Sequence, residues 1–472
     1  MSAALWSIAE LEAALGAPTN PPAAPVRGVS IDTRTLQPGD LFFAIKGEAS
    51  DGHAYVERAF AAGAAAAVVA RDKASALAGD GPLFLVEDTL RAMERLGVAA
   101  RARTQARIAA VTGSVGKTSA KEMLRVALGQ AGLTHAAAAS YNNHWGVPLT
   151  LARMPAAAAF GVFEIGMNHA GEITPLVKLV RPHAAMVTTI APVHIEHLGS
   201  LEAIAEAKAE IFTGLSPGGA AILNRDAPQF DLLRRRAEAA GARVATFGTT
   251  RDADARLLNF KPEGRGSRVE ASLFGREIAF DLGAPGLHMA QNALGVLLVA
   301  DALGVDAAAA AAALAEFTPA KGRGERVVLR AKNGSFTLID ESYNANPASM
   351  RAALDLLGAT APAPGGRRIA ALGDMLELGP EGAAMHRALA ADLERNRVDL
   401  LFCAGPLMRG LYDAAPTGVR AAWGATSADI EKPLFDALRG GDVVMVKGSN
   451  GSRMGPVVAA LKSNFSGDAS AA

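Results

Sequence analysis

Short apolar runs and turn residues alternate along the whole chain of 472 residues. In residues 1–104, runs such as Leu41–Ile45 and Ala65–Ala70 predict buried strands of a small α/β domain. Residues 105–318 repeat strand, turn and helix, which favours a parallel sheet with helices on both faces. Residues 319–472 have the pattern of a third, Rossmann-like α/β unit. Since one core seldom supports so long a chain, we expect an α/β protein of three domains with these boundaries.

Two stretches depart from this pattern. Residues 320–327 are basic and contain glycine, so we interpret them as a domain linker in which Arg323 and Arg326 are free to approach phosphate. Residues 463–472 are small and polar, and we expect a disordered tail. Between these two stretches, an asparagine precedes a proline, which predicts a helix with Asn346 as its N-cap and Pro347 as its first residue.

The strongest local signal is a glycine turn between a strand and a helix. The apolar run Ile108–Val111 ends at the sequence TGSVGKTS, and a segment with helical spacing follows at once. Glycines and a helix N-terminus make a cradle for phosphate, with Lys117 at the terminal phosphates and Thr118 at Mg²⁺. The loop is shorter than the usual one, and a chance surface turn is the alternative. The predicted nucleotide contacts in it are Gly113, Ser114, Val115, Gly116, Lys117, Thr118 and Ser119.

Charge and cysteine content narrow the function classes. The net charge is zero and the pI is about 7.2, and we find no cluster of positive charge, so we expect no nucleic-acid partner and no basic membrane patch. The single cysteine, Cys403, lies in an apolar run and predicts a core strand in a reducing, cytoplasmic setting. We see neither a signal peptide nor a membrane span.

Two polar residues stand at probable strand ends in the middle of the chain. Glu164 lies in an otherwise apolar run, and a buried carboxylate needs a cation, which beside a nucleotide would be Mg²⁺. The alternative is a glutamate at a strand edge that reaches solvent or an arginine. His194 follows the apolar run Ala184–Ile190, and it is either a ligand or a structural loop histidine.

A lysine lies on the apolar face of a predicted helix. Ser200 is a suitable N-cap for the sequence LEAIAEAKAEIF, and the spacing places Lys208 on the face of Ile204 and Ile211. The ordinary interpretation is a lysine whose ammonium reaches water along its aliphatic stem. The other is a buried lysine with a depressed pKa. A further helix begins near Asn292, which could recognise a base or cap a turn.

Several motifs, in one order along the chain, resemble the Mur ligases, the ATP-dependent amide-forming enzymes of peptidoglycan precursor synthesis. The phosphate loop is similar to theirs, and the resemblance covers essentially the whole chain. It is closest to the branch that adds D-Ala-D-Ala, in the motifs YNNHWGVPLT, FEIGMNHAGEI, DESYNANPASM, LGDMLELG and VKGSNGSRM. Two residue pairs of this chain differ from the family pattern: His288-Met289 and Asp340-Glu341.

The resemblance implies roles for named residues. It makes Thr118, Glu164 and His194 metal ligands, with Lys208 as a carbamylated lysine that binds a second Mg²⁺. Lys117, His194, Lys208 and Arg323 would be the catalytic residues. Further nucleotide contacts would be Asn142, Asn292, Arg323 and Asp340. Substrate contacts are expected from the polar loop Ser30–Arg34, at Ser30 and Arg34, and from Asn168, His169, Asn344 and Asn346.

The reaction implied is the ATP-dependent joining of D-Ala-D-Ala to UDP-MurNAc-tripeptide through an acyl phosphate. By family similarity the first domain binds the UDP-sugar, the central P-loop ATPase-like domain binds ATP, and the third binds the dipeptide. We expect a cytoplasmic monomer that serves cell-wall synthesis, cell shape and division. The alternatives are a sister ligase, a folylpolyglutamate synthetase-like enzyme, or a nucleotide-binding protein without catalysis.

Overall fold

The structure is a computed structural model, and it describes residues 4–20, 24–47, 50–77, 81–193, 195–331 and 333–465. Three separate sheets, of five, nine and six strands, succeed one another along the chain. Helices pack on them, so the predicted three-domain α/β fold class is confirmed. The exact boundaries at residues 104 and 318 stay a prediction. No helix of the described residues is long and apolar enough to cross a membrane.

The first sheet has the strand order β1-β5-β4-β3-β2, and only β1 runs antiparallel to its neighbour. Its elements are α1 (Ile8–Leu15), β1 (Thr19–Asn20), β2 (Gly28–Ser30), β3 (Asp40–Phe43), α2 (Val56–Ala61), β4 (Ala66–Ala70), β5 (Leu83–Val86) and α3 (Thr89–Ala102). The predicted strands Leu41–Ile45 and Ala65–Ala70 correspond to β3 and β4, whose residues are almost all fully buried.

The central region begins with the predicted strand, turn and helix. Its strands are β6 (Arg107–Thr112), β7 (Thr134–Ala136), β8 (Phe160–Glu164), β9 (Ala184–Val187), β10 (Ala220–Asn224), β11 (Arg243–Gly248), β12 (Ala255–Glu263), β13 (Gly266–Leu273) and β14 (Arg276–Leu282). Its helices are α4 (Lys117–Gly129), α5 (Gly146–Ala152), α6 (Ile173–Val180), α7 (Ile195–Leu198), α8 (Leu201–Ala209), α9 (Phe230–Ala239), α10 (Leu287–Ala302) and α11 (Ala307–Ala313).

The central sheet is mixed and not wholly parallel. Its order is β14-β13-β12-β11-β10-β9-β6-β8-β7, and the strands from β12 through to β7 pair in parallel. Strands β12, β13 and β14 instead form an antiparallel meander joined by tight turns at Gly264 and Gly275. The prediction of a parallel sheet therefore holds for the part that follows the phosphate loop and misses the meander.

The third sheet has the order β15-β16-β20-β17-β18-β19, parallel except for the pair β15 and β16. Its strands are β15 (Glu325–Ala331), β16 (Gly334–Glu341), β17 (Arg368–Gly373), β18 (Leu400–Ala404), β19 (Arg420–Gly424) and β20 (Val443–Lys447), and its helices are α12 (Pro347–Ala359), α13 (Gly382–Ala388), α14 (Ala390–Arg395), α15 (Met408–Ala414), α16 (Ser427–Ala437) and α17 (Met454–Asn464). Cys403 is fully buried in β18, as predicted.

Two predictions about irregular stretches need correction. The linker is shorter than expected, because strand β15 already begins at Glu325 and only the turn before it is irregular. Arg326 is correspondingly not free: its guanidinium donates to Thr360 Oγ1 at 2.9 Å and to the Gly264 carbonyl at 3.3 Å. The helix α17 continues to Asn464, so residues 463 and 464 are not part of a disordered tail. Residues 466–472 lie outside the described residues.

Candidate active site

The glycine turn after β6 takes backbone conformations that only glycine adopts readily. Gly113 has φ 145° and Gly116 has φ 85°, both in the left-handed half of the backbone map. A Cβ on Gly113 would collide with the Thr188 hydroxyl, and one on Gly116 would lie 2.5 Å from the Asn292 side-chain amide. Helix α4 begins at Lys117 immediately after this turn. The turn is thus a close-packed cradle whose helix N-terminus favours an anion.

Lys117 is folded back over this turn. Its ammonium donates a hydrogen bond to the Gly113 carbonyl at 2.8 Å. Burial, with a further contribution from the positive charge of Arg323, lowers the pKa of Lys117, while the nearby Glu164 carboxylate opposes the shift. Desolvation is the main cause of this shift, so the Lys117 ammonium needs an anion beside it to stay charged in this site. An anion of high charge, such as a polyphosphate, would complete it.

Glu164 ends strand β8 and is 3% exposed. Its Oε2 accepts a hydrogen bond from Thr118 Oγ1 at 2.8 Å, and its Oε1 accepts one from Asn142 Nδ2 at 2.8 Å. The alternative of a strand-edge glutamate that reaches solvent is therefore wrong, since β8 lies between β6 and β7. A hydroxyl and a carboxylate oxygen side by side are donors that Mg²⁺ accepts, so this pair fits the ion.

Lys208 lies in α8, whose N-cap is Ser200 as predicted: the Ser200 hydroxyl accepts a hydrogen bond from the Ala203 N–H at 3.1 Å. The Lys208 side chain is 2% exposed and does not reach water. Burial, and secondarily the positive charge of Lys117, holds the pKa of Lys208 well below its ordinary value. An uncharged amine of this kind is the form that reacts with CO₂.

The predicted metal set can be followed only in part. Among the described residues, no three His, Cys, Asp or Glu side chains converge so as to hold a metal ion. His194 lies outside the described residues. As an amine or ammonium, Lys208 offers a cation no anionic oxygen, whereas a carbamate on it would offer two. Of the four predicted metal ligands, the structure shows Thr118 and Glu164 in direct contact with each other.

Arg323 approaches this site from the third sheet. Its guanidinium stacks 4.0 Å from the centre of the Tyr343 ring, and its Nη2 lies 3.5 Å from Ser140 Oγ. Asp340 holds the turn that carries Arg323, because its carboxylate accepts a hydrogen bond from the Gly322 N–H at 3.1 Å. The charge of Arg323 is near enough to lower the pKa of Lys117, so the predicted arginine lies in the neighbourhood of the phosphate loop.

Comparison with known proteins accords with this geometry. Three family models match successive parts of the chain: "Mur ligase family, catalytic domain" over residues 25–113, "Mur ligase middle domain" over residues 111–300 and "Mur ligase, glutamate ligase domain" over residues 322–450. The UDP-N-acetylmuramoyl-tripeptide–D-alanyl-D-alanine ligase of Escherichia coli is 36% identical over 437 residues, which are 92% of this chain and 94% of the relative. The chain belongs to the Mur ligase family.

Solved structures agree with this assignment of the fold. A crystal structure of MurF from Acinetobacter baumannii superposes with a TM-score of 0.84 at 27% identity, and covers 98% of this chain and 100% of that one. The MurF ligase of Thermotoga maritima in complex with ADP superposes with a TM-score of 0.76 at 24% identity, over 93% of this chain and 97% of that one. The Mur ligase fold predicted from the motifs is confirmed.

Asn292 of this Mur ligase is buried within helix α10 and does not cap a turn. Its side-chain amide packs against Gly116, on the phosphate loop. Ser114 is fixed on the other side, because its hydroxyl donates to the Ala191 carbonyl at 3.0 Å and accepts from the Ala191 N–H at 2.9 Å. Both contacts hold the loop in place.

The six predicted substrate residues lie at or just after the ends of three strands. Ser30 is buried at the end of β2, while Arg34 is exposed and paired with Asp32 at 2.6 Å. Asn168 and His169 are exposed in the loop that follows Glu164 and β8. Asn344 and Asn346 follow β16, where Asn346 caps α12 by accepting from the Ser349 N–H at 2.9 Å. That bond confirms the predicted N-cap, and it engages the Asn346 side-chain oxygen.

Sequence reasoning missed several residues that shape this Mur ligase site. Thr188 donates to the Val115 carbonyl at 2.5 Å and so joins β9 to the phosphate loop. Lys447, 2% exposed at the end of β20, lies 3.3 Å from the Glu341 carboxylate and donates to the Asn344 carbonyl at 3.0 Å. A lysine that ends an apolar strand was the available signal for Lys447. Nothing in the sequence around Thr188 distinguishes it from other strand threonines.

Proposed function

We propose that this Mur ligase joins D-Ala-D-Ala to UDP-MurNAc-tripeptide with cleavage of ATP to ADP and phosphate. The observation that carries the proposal is the glycine turn over which Lys117 folds, with the Thr118–Glu164 pair beside it. The charges of Arg323 and Lys117 interact, as do those of Lys117 and the buried Lys208, which places both residues in the same neighbourhood. Relatives that share about a third of the sequence along nearly the whole chain bear the name of this activity. The substrates are inferred from those names.

The first step activates the peptide carboxylate. An oxygen of the terminal carboxylate attacks the γ-phosphorus of ATP in line, the bond from that phosphorus to the β–γ bridging oxygen breaks, and ADP leaves with the electron pair. Both reactants are anions, so positive charge must offset their repulsion. Lys117 and Arg323 supply it, and an anionic phosphate beside Lys117 would in turn favour the charged form of that lysine. The product is an acyl phosphate.

The second step forms the amide. The free amine of D-Ala-D-Ala attacks the acyl carbon, the bond from that carbon to the phosphate oxygen breaks, and phosphate leaves with the electron pair. The attacking nitrogen then loses a proton. Lys117 and Arg323 again face the departing phosphate, so the same cations serve both steps.

Thr118 and Glu164 would hold a Mg²⁺ ion, which supplies charge neutralisation at the β- and γ-phosphates when it is bound. Asn142 fixes the second carboxylate oxygen of Glu164 and so orients the first toward that position. We further propose that Lys208 is carbamylated and that His194 joins it at a second Mg²⁺. The burial of Lys208 and its lowered pKa support this assignment, because carbamylation needs an uncharged amine.

We assign the three parts of the chain to three ligands: the UDP-sugar to residues 1–104, ATP to residues 105–318 and the dipeptide to residues 319–472. Ser30 and Arg34 would contact the first ligand, Asn292 and Asp340 the nucleotide, and Asn344 the dipeptide. Closure about the turn at Gly322 would bring Arg323 onto the phosphates. We also propose that the enzyme is a cytoplasmic monomer.

A substrate panel tests the proposal. Purified protein is given ATP, Mg²⁺ and UDP-MurNAc-tripeptide with D-Ala-D-Ala, with single amino acids, or with glutamate and a folate in place of the sugar substrate, and products are identified by mass. We expect UDP-MurNAc-pentapeptide from the first mixture alone. Product from a single amino acid or from the folate would overturn the substrate assignment, and ATP turnover that is independent of every amine would overturn the ligase.

A further inference from the structure

A second lysine of helix α4 is almost entirely buried. Lys121, one turn after Lys117, is 1% exposed. Its ammonium donates to the Ala137 carbonyl at 2.7 Å and pairs with Glu122 Oε1 at 2.9 Å. Glu122 also accepts a hydrogen bond from Arg125 at 2.8 Å, so the carboxylate has a second cation. Because burying an ammonium is costly, a methyl-terminated side chain would pack here more cheaply. The specific gain from Lys121 is the bond to Ala137.

Ala137 begins the segment of residues 137–145 that joins β7 to α5. This 137–145 segment carries Asn142, which donates to Glu164 Oε1 at 2.8 Å, and Ser140, which lies 3.5 Å from Arg323. It therefore touches both the carboxylate of the proposed metal site and the arginine that faces the phosphates. A shift of this segment would move both contacts together.

Among the described residues, most other contacts of the 137–145 segment lie in its far half, where Tyr141 packs against the core and Arg153 lies over its ring. The strand before it, β7, has three half-buried residues and pairs only with β8, at the edge of the sheet. Two backbone hydrogen bonds of the 137–145 segment are local and form turns within it. They run from the Tyr141 N–H to the Ala139 carbonyl and from the Asn142 N–H to the Ser140 carbonyl. The Gly166 N–H donates to the Asn142 carbonyl at 2.8 Å and fixes the far half. Lys121 is the charged anchor of the near half.

We propose that Lys121 is a positioning residue that fixes the 137–145 segment to the same helix that carries Thr118. The Glu164 carboxylate lies between Thr118 on α4 and Asn142 on the segment. A bond from α4 to the start of the segment sets the positions of these two donors relative to each other, and thereby the orientation of the carboxylate. The catalytic consequence rests on the proposed function, while the anchoring itself is a property of the folded chain.

The test uses Lys121→Met, which keeps the length and the apolar stem but lacks the ammonium. Glu122→Gln is the matched control, because it removes the ion pair and leaves the bond from Lys121 to Ala137. The chain has three tryptophans, and Trp145 ends the 137–145 segment. Protein labelled with 5-fluorotryptophan therefore gives a ¹⁹F signal from the segment, assigned with Trp145→Phe, and signals from Trp6 and Trp423 as internal controls.

In Lys121→Met we expect the Trp145 signal to shift or broaden while those of Trp6 and Trp423 stay in place, without substrate or metal. The Mg²⁺ concentration for half-maximal turnover should rise about tenfold, as expected for the loss of one charge-assisted hydrogen bond. Glu122→Gln should keep the wild-type Trp145 signal and Mg²⁺ dependence.

An unchanged Trp145 signal in Lys121→Met would overturn the anchoring. A changed signal with an unchanged Mg²⁺ dependence would overturn the link to Glu164, and a loss of thermal stability equal in both variants with no other effect would leave only ordinary packing. If the wild-type enzyme accepted a different substrate, the ¹⁹F result would still decide the anchoring, so its failure and that of the proposed function are separable.

Discussion

Thr118 and Glu164 meet through a hydrogen bond of 2.8 Å although 46 residues separate them in the chain. Thr118 lies in the first turn of helix α4, which follows β6, and Glu164 ends the parallel strand β8 beside β6. The carboxyl ends of neighbouring parallel strands share one edge of a sheet, which is where α/β enzymes place their chemistry. This pair is the fixed point of the proposed site.

Replacement of Glu164 by Gln keeps the shape and removes the negative charge. We expect turnover to fall at least a hundredfold, about the loss seen when one preorganised electrostatic group is removed, and to recover partly at high Mg²⁺. Glu238→Gln, at an exposed glutamate of α9, is the control and should behave like the wild-type enzyme. Turnover with the normal Mg²⁺ dependence in Glu164→Gln would show that the carboxylate binds no ion.

The carbamate on Lys208 predicts a dependence on CO₂. Depleting bicarbonate should lower turnover and adding it should restore activity, and ¹³C-bicarbonate should give a carbamate carbon signal in the protein by NMR. Lys208→Met should lack the signal and the activity. Lys178→Met, at an exposed lysine of α6, should retain both. A wild-type enzyme that is fully active without bicarbonate would refute the carbamate.

The backbone conformation of Gly116 and its close neighbour Asn292 predict that this position of the phosphate loop accepts only glycine. An alanine there would face φ 85° and the Asn292 amide at 2.5 Å, so we expect Gly116→Ala to weaken nucleotide binding at least tenfold in calorimetric titrations. Gly129→Ala, at the end of the same helix, meets nothing within 4 Å and should bind nucleotide normally with equal or higher stability. Equal binding by both variants would argue against the loop as the nucleotide site.

The buried His386 predicts a pH dependence of stability in the third domain. Its Nε2 accepts from the Met375 N–H at 2.9 Å, and burial lowers the pKa of His386 below its usual value. The unfolded chain therefore binds a proton at higher pH than the folded chain, so this group destabilises the fold as the pH falls below about 6.5, by at most about 1.4 kcal/mol per pH unit. In denaturant titrations at pH 7 and pH 5, His386→Gln should lose less stability than the wild-type protein. An equal loss in both would exclude His386 as the cause.

The stacking of Arg323 on Tyr343 predicts that catalysis depends on the shape of the arginine side chain as well as on its charge. Lysine in its place keeps the charge but loses the planar fork and the stacking on Tyr343 at 4.0 Å. We expect Arg323→Lys to lower kcat about tenfold or more with a smaller effect on the KM for ATP. Arg330→Lys, at an exposed position of β15, should change neither. An unchanged kcat in Arg323→Lys would remove the arginine from the reaction.

The sequence allowed much of this site to be predicted, because local chemistry governs those parts. The glycine turn and the N-caps Ser200 and Asn346 each follow from a pattern a few residues long. Such a pattern also placed Lys208 on the apolar face of α8, but it left open whether the ammonium reaches water, and the structure shows the side chain buried. The meander of β12 to β14 was missed, since its alternating charged residues resemble solvated loops as much as an edge of the sheet. The contacts of Lys121 and Thr188 span distant segments, which no local pattern encodes.

The central claim is that a peptide carboxylate attacks the γ-phosphate of ATP before the amine enters. UDP-MurNAc-tripeptide labelled with ¹⁸O at both oxygens of its terminal carboxylate tests this most directly, with the released phosphate analysed by mass. We predict that turnover with D-Ala-D-Ala transfers one ¹⁸O from the peptide to each phosphate, because that oxygen bridges carbon and phosphorus in the acyl phosphate. Pentapeptide formed with unlabelled phosphate would contradict the account.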